Sequence, residues 1–304
     1  MCSLLYPTSP RAMSSDGVAP RCRGESGDVG LEQIAQGVYV WLQLPGGLGR
    51  ANAGVVVDED GVTVIDTLMV PSQSDELSAA VSALGRPVRR VVLTSGHIEF
   101  AGGASRFPLA AVYGSAVTSI QLDQPPNIGA YQKFMPEFGA EFTDLQTRTV
   151  THVVDAPVML TNAVEVVPVA GHTPANLVVL VPAAGVLFAG GMCAFGATPL
   201  GFQADMAAWA DALDTLADLA PVIIPGHGPV GGEREVRECQ GYLRACLAAN
   251  GDPAALGSGP WDQWADRQLD AINLERAARL ARGDRGVPQA MLEAIGTEYG
   301  QPEP

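Results

Sequence analysis

The chain has 304 residues, of which 47 % are hydrophobic and 17 % charged, so it carries enough apolar material for a sizeable core. Its 18 basic residues face 33 acidic ones, a formal net charge of −15. That balance argues against nucleic acid and against an anionic membrane surface as partners.

Residues 1–29 are rich in Ser, Pro, Gly and Arg without periodicity and are expected to form a disordered tail. The opening "MCSLLYPTSPRA" has no basic start and only a short apolar stretch, which argues against a signal peptide. Met13 is an alternative start, which would leave residues 1–12 outside the native protein. From Leu31 the texture changes. "GVYVWLQL" (37–44) alternates like a strand, and "NAGVVVDEDGVTVIDT" (52–67) reads as a hairpin about an Asp-Glu-Asp-Gly turn. Leu77, Ala80, Val81 and Leu84 have helical spacing, predicting a helix over 74–84 with Ser74 as N-cap and Gly85 as the C′ residue. "VRRVVLTS" (88–95) is a further strand.

A second half echoes the first. "TVTHVVDAPVML", "AVEVVPVAG", "LVVLVPAAGVLFAGG" and "VIIPGHG" read as strands or strand pairs. Residues 177–190 repeat the layout of 54–67, an apolar run, a short turn ending in Gly and a second apolar run. Residues 206–219 place Met206, Trp209, Leu213 and Leu216 on one helical face. Helices are also expected over 234–250 and near 262–297, with Trp261 and Trp264 as anchors. Two similar halves of alternating strands and helices imply two packed sheets with helices outside. The division expected is a tail (1–29), one domain (30–250) and a helical extension packed on it (251–304). The Pro- and aromatic-bearing segment 121–142, between the halves, is placed to cover a site.

Five cysteines, Cys2, Cys22, Cys193, Cys239 and Cys246, match no zinc ribbon or disulfide framework. They suit a reducing, cytoplasmic compartment. No apolar run is long enough to span a membrane.

The polar chemistry gathers at histidines. Three of the four follow a glycine at a strand end: His97 in "TSGHIEF", His172 in "VAGHTPAN" and His227 in "IPGHGPV". Strand ends converge at one rim of a sandwich, and neutral imidazole is a common ligand for zinc or iron. Glu99 lies two residues from His97, so in an extended segment both side chains point the same way, adding a carboxylate ligand or general base. His152 alternates with valines in "TVTHVVD" and is expected to be structural.

From about Leu31 to about Asn250 the ordered motifs resemble the metallo-β-lactamase superfamily, with its glyoxalase II-like hydrolases. "NAGVVVDEDGVTVIDT" is similar to the opening hairpin, ending at Asp66, and "VVLTSGHIEFAGGASRF" stands at the T-H-x-H-x-D-H-x-G-G motif. "VAGHTPANLVVLV", "VLFAGGMC" and "VIIPGHGPV" follow in family order. The resemblance implies an α/β fold, a four-layer αββα sandwich of two similar halves with its site along one sheet edge.

It also implies a degenerate metal site. Ser95 stands at the first signature histidine, Glu99 at the aspartate, Phe100 at the next histidine and Gly191 at the bridging aspartate, while His97, His172 and His227 are kept. A paired-metal site needs a bridging anion, which Gly191 does not supply. The expectation is therefore at most one ion (zinc, iron or manganese) on His97, His172, His227 and Glu99. Glu99 and Ser95 are the catalytic candidates, and Phe100, Gly191 and Cys193 are expected around the substrate pocket. The implied activity is hydrolysis of a small ester, thioester or lactone. The alternative is a metal-free, inactive relative that binds a small molecule or partner, and a homodimer is a further expectation.

Overall fold

The computed structural model describes residues 30–296, so the expected tail, Cys2 and Cys22 lie outside the described residues. Seven strands form the first sheet: β1 (Leu31–Ala35), β2 (Val38–Trp41), β3 (Ala53–Asp58), β4 (Gly61–Ile65), β5 (Val88–Val92), β6 (Ala111–Gly114) and β7 (His152–Val153). They lie side by side in chain order. The pairings β1 to β4 are antiparallel and those from β4 to β7 parallel. The second sheet holds β8 (Val158–Met159), β9 (Glu165–Val169), β10 (Asn176–Val181), β11 (Val186–Ala194) and β12 (Val222–His227), in the order β12-β11-β10-β9-β8. The helices are α1 (Pro71–Ser82), α2 (Ile98–Ala101), α3 (Ala116–Leu122), α4 (Ile128–Phe134), α5 (Met206–Leu219), α6 (Glu233–Ala249), α7 (Asp270–Ala281) and α8 (Gln289–Ile295).

Period-two alternation splits the apolar strands between two cores. In β3, Val56 faces the second sheet and packs with Ile65, Leu177, Val179 and Phe188. Its neighbour Val55 faces outward with Leu77 and Val81 of α1. On the far side, α5 and α6 cover β11 with Trp209, Leu213, Tyr242 and Leu243. The layers are thus helix, sheet, sheet, helix. Each fully buried large side chain contributes roughly 1.5–3 kcal/mol of transfer free energy, and most of the apolar content is spent between these layers.

Several local expectations are corrected. The first helix begins at Pro71, whose fixed φ suits a first helical position, and Val70 is its N-cap. Ser74 lies inside the helix, its hydroxyl donating to the Val70 carbonyl. Gly85 lies two residues past the C-cap Ala83, at φ +67°. The expected strand over 149–160 reduces to two residue pairs, β7 and β8, at the ends of the two sheets. His152 is exposed and stacks on Tyr113. The final helical region is α7 and α8, preceded by short 3-10 turns, and Trp261 and Trp264 pack on Tyr242 of α6.

Candidate functional site at the sheet edge

The loop after β5 folds into a helical turn. The His97 carbonyl accepts from Phe100 N–H (3.0 Å) and Ala101 N–H (3.2 Å), so His97 is the extended N-cap of α2 and Glu99 sits in its first turn. The extended geometry expected for this pair is therefore corrected. The helical turn still keeps them close, with Glu99 Oε1 4.0 Å from His97 Nδ1.

The fold brings the three glycine-preceded histidines together at one rim. His172 follows β9 and His227 ends β12. The rings of His97 and His172 meet edge to face at 4.8 Å between centroids. His227 Nε2 lies 3.9 Å from the same Glu99 oxygen. Each imidazole is oriented by a hydrogen bond to a carbonyl oxygen. His97 Nε2–H donates to Gln203 Oε1 (3.0 Å) and His227 Nδ1–H to the Arg50 carbonyl (3.3 Å), while His172 Nδ1 lies 3.3 Å from Asn176 Oδ1 and the ring also bonds the Leu200 backbone. Phe202 stacks on His97, and Trp209 packs edge-on against His172.

Burial sets the electrostatics. His172 is held well below the ordinary histidine range, first by desolvation and then by the adjoining His97; the Asn176 hydrogen bond opposes this. Asp66, the hairpin-end aspartate, is 3 % exposed and left-handed at φ +59°. Its carboxyl accepts from Thr94 N–H and Thr94 Oγ–H, both at 2.8 Å. Burial nevertheless pushes it up to about 8, with Glu99 adding to the rise.

The places where the resemblance loses ligands are physically filled. Phe100 is wholly buried and packs edge-on against His227. Ser95 is wholly buried, its hydroxyl accepting from His97 N–H at 3.3 Å. At Gly191 a Cβ would stand 2.5 Å from His172 Nδ1, so the imidazole occupies the space of a bridging side chain. Among the described residues, no three His, Cys, Asp or Glu side chains are arranged to hold a metal ion. In this arrangement the residues do not fit the metal centre that the resemblance implies.

Beside the histidines opens a cavity of about 670 Å³. His97, Glu99, Gln121 and Gln203 belong to its polar lining, with Gln124, Asn127, Thr147, Arg279 and Gln289. Ile98, Leu200 and Phe202 line it from the site side, Phe134 and Met135 from segment 121–142, and Met291, Leu292 and Ile295 from α8. Phe100, Gly191 and Cys193, expected around a pocket, are absent from its wall. Phe100 lies beneath His227, Gly191 backs His172, and Cys193 is buried in the core under α5 and α6, where desolvation holds its thiol well above the ordinary range. Ser95 is also absent from the wall.

Sequence reasoning did not single out Gln203 or Asn176; Gln121 fell inside the segment 121–142 placed to cover a site, and α8 inside the helical region near 262–297, of which no part in the site was expected. The one available signal was position: Gln203 follows the second half's long strand and directly precedes α5, as site loops often do.

Residues 46–228 match the Metallo-beta-lactamase superfamily. A metallo-beta-lactamase type 2 of Bacteroides fragilis is 24 % identical over 268 residues, covering 83 % of this chain and 97 % of the relative. The uncharacterized protein YobT of Bacillus subtilis is 28 % identical over 163 residues, covering 52 % and 69 %. The crystal structure of a metallo-beta-lactamase from Erythrobacter litoralis superposes with a TM-score of 0.56 at 20 % identity, covering 70 % of this chain and 95 % of that one. With that match over most of the sandwich, the chain belongs to the metallo-β-lactamase superfamily.

Proposed function

We infer that this chain is a small-molecule-binding protein on the hydrolase-like superfamily fold, working without a metal centre. The observation that carries this reading is the cavity of about 670 Å³ beside His97 and Glu99. Ligand pockets span roughly 300–1,000 Å³ and combine apolar walls with a few convergent polar groups. Here the apolar side chains of α4 and α8 exclude water. Gln203 fixes the His97 ring and accepts from Gln121 Nε2–H (3.3 Å), so the polar part is ordered before a ligand arrives.

Ala130 on α4 lines the cavity, and an Ala130→Trp variant narrows it. Binding of an apolar fluorescent probe by the wild type, lost in this variant while its circular dichroism is unchanged, supports the reading. Equal binding by both proteins sinks it.

A second reading, hydrolysis of a small ester, thioester or lactone with one zinc, iron or manganese ion, rests on one observation. His97 Nδ1 and His227 Nε2 take no part in the carbonyl hydrogen bonds, and Glu99 Oε1 lies 4.0 Å and 3.9 Å from them. It requires these side chains to close further on an ion, and the metal content of the purified protein separates it from the first.

A further inference from the structure

A carboxylate on the cavity wall, Glu99, points to a ligand class. Gln121 Oε1 is buried with no hydrogen-bond partner, which is costly unless something supplies a donor. Glu99 is 8 % exposed and has no Lys or Arg partner among the described residues; its nearest cationic-capable groups are the two imidazoles about which it sits. The donor of His97 Nε2 is already spent on Gln203, as is one of the two of Gln121 Nε2. The one guanidinium on the cavity wall, Arg279, is tied to Glu275 (2.8 Å) and Asp284 (2.6 Å) and is not available to an anion. A carboxylate or phosphate head would meet Glu99 with no compensating cation. An ammonium head would bring donors to Glu99 in charge-assisted bonds. The chain's net charge of −15 favours the approach of a cation as well. Ile98, Phe134, Leu200, Phe202, Met291 and Leu292 give the wall its apolar part.

We propose that the cavity takes a primary ammonium compound with an apolar tail, its head at Glu99 and its tail against α4 and α8. This rests on the reading of the cavity as a small-molecule site.

The test is isothermal titration of the full chain with three probes that share one tail: octylammonium, octanol and octanoate. Octylammonium is expected to bind at least about tenfold tighter than octanoate, which corresponds to about 1.4 kcal/mol. Glu99→Gln keeps the side-chain shape and removes the charge, and is expected to bring that ratio close to one. Octanoate binding as tightly as octylammonium in the wild type overturns the head-group assignment while leaving the cavity reading intact. A ratio unchanged in Glu99→Gln overturns it as well. Binding of none of the three overturns the cavity reading, and the assignment with it. Should Glu99→Gln fail to fold, the wild-type ratio alone decides.

Discussion

The His172 ring and the bare backbone of Gly191 share one space: a Cβ at 191 would lie 2.5 Å from His172 Nδ1 and 2.6 Å from Cε1. The two positions are therefore coupled. The imidazole lies against β11 because position 191 carries no side chain. There its Nδ1 lies 3.3 Å from Asn176 Oδ1 and the ring packs against Trp209. An aspartate at 191 would have to displace it.

This coupling is measurable. Gly191→Ala is expected to destabilise the fold by roughly 1–3 kcal/mol, the range for overpacking a tight interior. In a His172→Ala background the same substitution should cost much less, because the colliding ring is gone. Urea denaturation of the four proteins of this double-mutant cycle gives the coupling energy. Additive costs would show that His172 is free to move aside.

Phe100 occupies a family ligand place as a core residue. It is wholly buried and meets His227 at 5.6 Å between ring centroids. Phe100→Ala is expected to cost about 3–5 kcal/mol by leaving a cavity. Denaturant midpoints check this, and a cost below about 1 kcal/mol would contradict a packing role.

Asp66 makes stability fall with rising pH. Its carboxyl titrates at about 8 in the fold against an ordinary 3.8. Between those values the unfolded chain has lost the proton and the folded chain keeps it, so each rise in pH favours unfolding. Below 3.8 both states are protonated, and above about 8 both are ionised. Asp66→Asn mimics the neutral acid and suits the left-handed backbone. Thermal melts from pH 4 to pH 8 should fall more steeply for the wild type than for Asp66→Asn. Parallel curves would contradict the assignment.

Much of the fold was legible because the layers have periodic faces. Met206, Trp209, Leu213 and Leu216 mark α5 over its full length, Met206–Leu219, and the repeated hairpin layout marks both sheets. Boundaries set by single residues were harder. Pro71 rather than Ser74 starts α1, and a helical turn rather than a strand carries Glu99. At the site, the shared context of His97, His172 and His227 foretold their meeting. What the ligand losses left behind was not legible. Whether position 191 is empty or filled depends on His172, nineteen positions earlier in the chain, and no local pattern encodes that contact. The cavity was also hidden, since Ile98, Gln203 and Met291 meet only through the tertiary fold.

The central claim, a binding site without a metal centre, is tested most directly by elemental analysis of the full chain purified without chelator. The account predicts less than about a tenth of an equivalent of zinc, iron or manganese, since structural and catalytic ions bind their sites near stoichiometrically. Close to one equivalent, lost in His172→Ala, would contradict it and establish the mononuclear reading in its place.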